Sequence, residues 1–87
     1  MAKLIKVNGE TAAFTLPRKF GGRERLTAMQ EAVGGYIEYV YINRGRDVLV
    51  VNEEGRLIGL PINPIASLLA GQAIVGDALL LAAREAS

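Results

Sequence analysis

The sequence predicts an α+β domain in the order β-β-α-β-β-β-α-β, with a mostly antiparallel sheet and one main helix packed on it. Three observations carry that class. Short β-branched and aromatic runs alternate with turn residues, one stretch at residues 23–33 has helical spacing instead, and 87 residues are enough for one core but not two. Residues 1–87 are therefore read as a single domain.

The elements follow in order. Leu4 to Val7 and Thr11 to Leu16 flank Asn8-Gly9, the pair that best accommodates a type I′ turn, so they form a hairpin that Pro17 stops. Leu26, Met29 and Val33 recur at helical spacing, and Gly34-Gly35 ends that helix and reverses the chain. Residues 36–42 are aromatic and β-branched, which suits a strand. Period-two alternation places Tyr36, Glu38, Val40 and Ile42 on one face of it and Ile37, Tyr39 and Tyr41 on the other. Turns at 43–46 and 52–55 lead into strands 47–51 and 56–60, giving a three-stranded meander. Asn63 caps a short helix with Pro64 in its first position, Ile65, Leu68 and Leu69 on one face, and Gly71 as its stop. Residues 73–81 close the chain as a strand bent at Gly76-Asp77.

Composition removes most chemistry. With no cysteine and no histidine, disulfide frameworks, thiolate or imidazole zinc sites, thiol nucleophiles and histidine-based triads are excluded. The carboxylates, lysines, arginines and hydroxyls that remain form no catalytic constellation. Glu53 and Glu54 are adjacent on a turn, so they point apart and suit neither an acid and base pair nor a metal site. The reading is accordingly non-enzymatic, without catalytic residues, metal ligands or cofactors. The amino terminus lacks the pattern of a signal peptide, and the uncharged stretch 57–76 contains Pro61, Asn63, Pro64 and Gln72, so a cytoplasmic protein without membrane contact is expected.

Four ordered motifs carry a resemblance: Val33-Gly34-Gly35-Tyr36-Ile37-Glu38, Asn52-Glu53-Glu54-Gly55, Leu60-Pro61-Ile62-Asn63 and Ile74-Val75-Gly76-Asp77. Over residues 25–82 the chain resembles a family of small domains of unknown function found mainly in bacteriophages, plasmids and bacterial genomes. The resemblance brings no activity or cofactor with it. It implies a mobile-element setting, in which small proteins often bind a host component or a host-made small molecule, and it leaves the loop 17–25 outside.

The candidate site comes from charge placement. Net charge is only +1, so any attraction for anions must be local. A two-residue reversal makes helix 23–33 and strand 36–42 antiparallel. The helix rises about 16 Å and the strand about 23 Å, so loop 17–25 should neighbour turn 43–46. That pole gathers Arg18, Lys19, Arg23, Arg25, Arg44 and Arg46 against Glu24 and Asp47, a net +4; the rest of the chain holds four cations against seven carboxylates, a net −3. Arg23 and Arg25 also sit in a first helical turn, where acidic residues are preferred, and a glycine-rich approach with free amides suits phosphate. The expected function is therefore a binding module holding an anionic, nucleotide-like ligand at those six residues, with nucleic acid second within that class. The alternative is a protein-interaction or assembly module, a homodimer or other homo-oligomer or a binder of a host protein, resting on apolar excess and free strand edges.

Overall fold

Pairing between chain neighbours builds both flanks of the sheet, and a strand from the end of the chain fills its middle. The computed structural model describes residues 2–17 and 22–86. The elements are β1 (Ala2–Ile5), β2 (Thr11–Phe14), α1 (Gly22–Val33), β3 (Ile37–Ile42), β4 (Asp47–Asn52), α2 (Pro64–Ala70), β5 (Ala78–Ala82) and α3 (Ala83–Ala86), with a 3-10 turn at Asn43–Gly45. All pairings are antiparallel, in the order β2-β1-β5-β4-β3. The α+β class with one antiparallel sheet is thus what the chain forms.

Both faces of the sheet are covered. Leu4, Leu79, Val50 and Tyr39 stand in one cross-strand row, and Met29 and Val33 of α1 pack on that face with Ala2, Val48 and Leu81. The next row, Leu80, Leu49 and Val40, faces the other way, where Ala66 of α2 and Ile74 join Ile5, Val51 and Ala78. This double burial explains why β4 and β5 read as continuous apolar runs rather than alternating ones. Leu49, Leu79 and Leu81 are fully buried, each contributing about 2 kcal/mol by removal from water.

Several expectations change. The β1–β2 hairpin does not use a two-residue type I′ turn. Its loop is Val7-Asn8-Gly9, with Gly9 at φ +91° and hydrogen bonds from Gly9 N to Lys6 O and Lys6 N to Glu10 O. The Asn8 side chain accepts from Glu10 N at 2.9 Å, a local turn that leaves only the glycine at positive φ. Residues 56–60 form no third meander strand. Both neighbours of β4 are taken, by β3 and β5, so the segment closes on itself through Ile58 N to Glu54 O and Leu60 N to Gly55 O. The last strand is shorter than expected: Val75 makes only a bridge to Ile62, Gly76 at φ +79° bends the chain, β5 begins at Ala78, and α3, which was not anticipated, follows it.

The helices begin and end as their sequences indicate, but not every expected face is buried. Gly34 at φ +81° terminates α1, with Gly34 N and Gly35 N both donating to Gln30 O. Leu26 stays 41% exposed, so the fully packed stripe of α1 starts one turn late, at Met29. In α2, Asn63 is the cap, Pro64 the first residue and Gly71 the left-handed stop. That helix turns Ala66 inward, with Ile65 and Ala70 half-buried against the core, whereas Leu68 is 84% exposed and Leu69 is also exposed. A seven-residue helix offers one narrow stripe, and the close approach to the sheet favours alanine there.

Asn63 holds this face together. It is fully buried, its side-chain oxygen accepts from Ala66 N at 3.1 Å, and its amide donates to Ile5 O at 2.9 Å and Gly76 O at 3.0 Å. Asn63→Ala removes a helix cap worth about 1 kcal/mol and orphans two carbonyls at about 1 kcal/mol each, so urea unfolding should show a loss of about 3 kcal/mol. Asn63→Asp keeps the cap but neither donor, and it should be destabilising too. Wild-type stability in the aspartate variant would show that the two carbonyl contacts contribute nothing.

Candidate functional site

Among the described residues the sheet order leaves β3 as a free edge, and its outward backbone groups follow from one bond. Glu53 N donates to Tyr36 O at 2.9 Å, so Tyr36 and Glu53 form a hydrogen-bonded pair, and the register extends that pairing to Glu38–Val51, Val40–Leu49 and Ile42–Asp47. The amides and carbonyls of Ile37, Tyr39 and Tyr41 therefore point away from the sheet. The other edge, β2, is shorter, with exposed small side chains at Thr11, Ala12 and Ala13. Glu38 is the single charged side chain within Ile37–Ile42, and it is exposed on the α2 face, on the alternation the sequence predicts.

At the starting end of β3 the family-like motifs interlock. Asn52, buried, donates to Val33 O at 3.1 Å and accepts from Glu54 N at 2.8 Å. A Cβ on Gly35 would stand 2.9 Å from the Asn52 amide nitrogen, and one on Gly55 would stand 2.7 Å from Val75 Cγ2, so both glycines are required by close approach. A cleft of about 330 Å³ opens here, with Glu38, Glu53 and Arg56 around a floor of Val40, Val51 and Ile74. Arg56 lies against it, donating to Ala73 O at 2.9 Å. Glu54 instead borders a second hollow with Tyr36 and Ile58, so the adjacent glutamates line different hollows. Around this end Tyr36, Leu57 and Ile58 are 66%, 86% and 59% exposed, an apolar shelf beside the free edge.

The opposite end carries Arg44 and Arg46. Both are exposed, and Arg44 adopts φ +59° in the 3-10 turn. Asp47 accepts from Asn43 Nδ2 at 3.1 Å. Arg23 and Arg25 lie in the first turn of α1, whose other end Asn52 ties to the far end of β4. Among the described residues no ion pair joins Arg23, Arg25, Arg44 or Arg46 to Glu24 or Asp47. Arg18 and Lys19 lie outside the described residues. Arg25 donates through Nη1 to Pro17 O at 3.5 Å, and its enclosed Nη2 has no hydrogen-bond partner among the described residues. α3 also sits at this end: Ala83 N donates to Arg46 O at 2.8 Å and Tyr39 Oη to Ala86 O at 3.2 Å. Its signal was half a capping box, Glu85 three residues after Ala82, whose amide Glu85 Oε1 accepts at 2.9 Å.

Comparison with known proteins adds the family. A family model described as a domain of unknown function (DUF3846) matches residues 3–87. The chain belongs to that family. The DUF3846 match extends across the loop 17–25, which the motif resemblance had left outside. No curated protein and no solved structure matches the chain. No helix among the described residues of this DUF3846 domain is long and apolar enough to cross a membrane.

Ladder geometry makes a direct prediction for the dilute chain. The amides of Glu38, Val40 and Ile42 should be protected from hydrogen exchange, while those of Ile37, Tyr39 and Tyr41 should exchange at least tenfold faster. Equal protection of all six in a monomer would mean that β3 is not an open edge.

Proposed function

We propose that this domain is a non-enzymatic binding module that docks an extended segment of a protein partner along the free edge of β3. The observation that carries this reading is the outward row of Ile37, Tyr39 and Tyr41 backbone groups on a strand of six residues. Main-chain hydrogen bonds along such an edge supply affinity, and pockets beside it supply selectivity. The shelf of Tyr36, Leu57 and Ile58 offers apolar contact, and the cleft bordered by Glu38 and Glu53 suits a basic side chain on the incoming strand. Native edges are usually blunted by lysine, proline or a bulge, and β3 contains none of these. Selection from displayed random peptides should enrich sequences that bind the wild-type chain. Tyr41→Pro removes one outward amide without touching the β4 ladder, and it should weaken those peptides at least tenfold. Equal binding to both proteins would exclude strand addition.

A second reading is favoured by Arg25. Among the described residues this guanidinium nitrogen has no partner, which is costly, and a phosphate-bearing, nucleotide-like ligand at the start of α1 that displaced the groups covering it would satisfy it. Nucleotides at low salt should then raise the melting temperature of the wild-type chain and not that of Arg25→Ala. Indifference of both proteins to nucleotides would remove this reading.

A further inference from the structure

The identity of the docked strand can be taken further, on the strength of the strand-docking reading above. We infer that it is β3 of a second copy of this chain, paired antiparallel about a two-fold axis at Tyr39. A two-fold contact must be self-complementary, and the β3 edge is so in two respects.

The first is register. Only axes that oppose outward residues to outward residues can form the ladder, which leaves axes at Glu38, Tyr39 or Val40 as the central choices. An axis at Glu38 sets the strand's one charge directly against its own copy, which is destabilising. An axis at Val40 sets Ile37 opposite Asn43, whose φ of +54° takes it out of extended conformation and ends the ladder. An axis at Tyr39 pairs Ile37 with the other copy's Tyr41, Tyr39 with itself and Tyr41 with Ile37, so every outward group of the strand is used. Glu38 then faces Val40.

The second is charge. At the starting end of β3 Glu38, Glu53 and Glu54 outnumber Arg56, and at its finishing end Arg44 and Arg46 outnumber Asp47. Antiparallel pairing lays each basic end beside the acidic end of the other copy, twice over. The polarity that the sequence concentrates at one pole thereby acquires a partner of opposite sign within the same molecule's dimer. These charges are exposed, so the attraction is screened by salt.

Sedimentation of the full chain at submillimolar concentration should show a monomer–dimer equilibrium that weakens as salt is raised. Tyr41→Pro should weaken dimerisation at least tenfold while keeping its circular dichroism. Should that variant fail to fold, Arg44→Glu/Arg46→Glu serves instead: it should dissociate, and mixing it with Glu53→Lys/Glu54→Lys should restore a dimer. The chain has no cysteine, so register can be read directly. Glu38→Cys and Val40→Cys should form a covalent dimer on oxidation only when mixed, and either variant crosslinking alone would overturn the Tyr39 axis. A wild-type chain that remains monomeric overturns self-pairing altogether. In that event, peptides that bind wild type and not Tyr41→Pro would still uphold strand docking, whereas peptides indifferent to the substitution would end both.

Discussion

The structure depends on the buried side chain of Asn63, because it fixes where the second face of the sheet meets its cover. One primary amide there serves three separate segments. Its oxygen caps α2 through Ala66 N, while its two N–H groups reach Ile5 O in β1 and Gly76 O in the bend before β5. Apart from glutamine, its longer homologue, no side chain provides an amide acceptor and two amide donors together, and aspartate and serine do not. The main chain at Asn63 completes the junction, with its N–H on Ile74 O and its carbonyl accepting from Ser67 N. The apolar core supplies most of the stability: three fully buried leucines outweigh three hydrogen bonds of about 1 kcal/mol net each. What Asn63 supplies is position, since unpaired carbonyls at this depth would penalise any other docking of α2.

That placement determines what remains exposed. With α2 and Ile74 held over one face and Met29 and Val33 over the other, β4 and β5 are enclosed on every side. Asn52 performs the corresponding task at the far end, joining the last carbonyl of α1 to the turn after β4. Residues 53–60, between these two asparagines, have no strand partner, so they fold into successive turns, and Leu57 and Ile58 are left facing outward. Exposure of the shelf is therefore a consequence of sheet order and not of composition.

The same distinction explains what could be read from the sequence. The β1–β2 hairpin, α1, β3, β4 and the Asn63-Pro64 cap were legible because each is specified by residues close together in the chain. Residues 56–60 read as a strand by local pattern, but a strand needs a vacant neighbour, and β5, about twenty residues later, occupies that side of β4. Bulk alone points to Leu68 and Leu69 as the packed face of α2, whereas close approach to the sheet selects Ala66 and excludes Leu68. That Arg44 and Arg46 lie at the opposite end of β3 from Glu53 and Glu54 was legible from the order of residues. The free edge was not, since which strand lies outermost is decided by long-range pairing that no short motif announces.

Why β3 carries so little protection follows from its two faces. Ile37 and Tyr39 pack towards α1, and Val40 and Ile42 pack towards the cluster around Ala66. A lysine at any of these four positions would draw charge into a partly buried site, at a desolvation cost that an exposed residue does not incur. Only Glu38 and Tyr41 are free to vary without disturbing the core, and one of these two is already a carboxylate. Tyr41 makes an edge-on ring contact with Tyr39 at 6.3 Å, so the remaining open position is filled by an aromatic that extends the apolar surface to the very edge. The core thus dictates an apolar border strand, and a border strand of that kind is stable in solution only where other groups, from turns, charges or a second chain, limit what can pair with it.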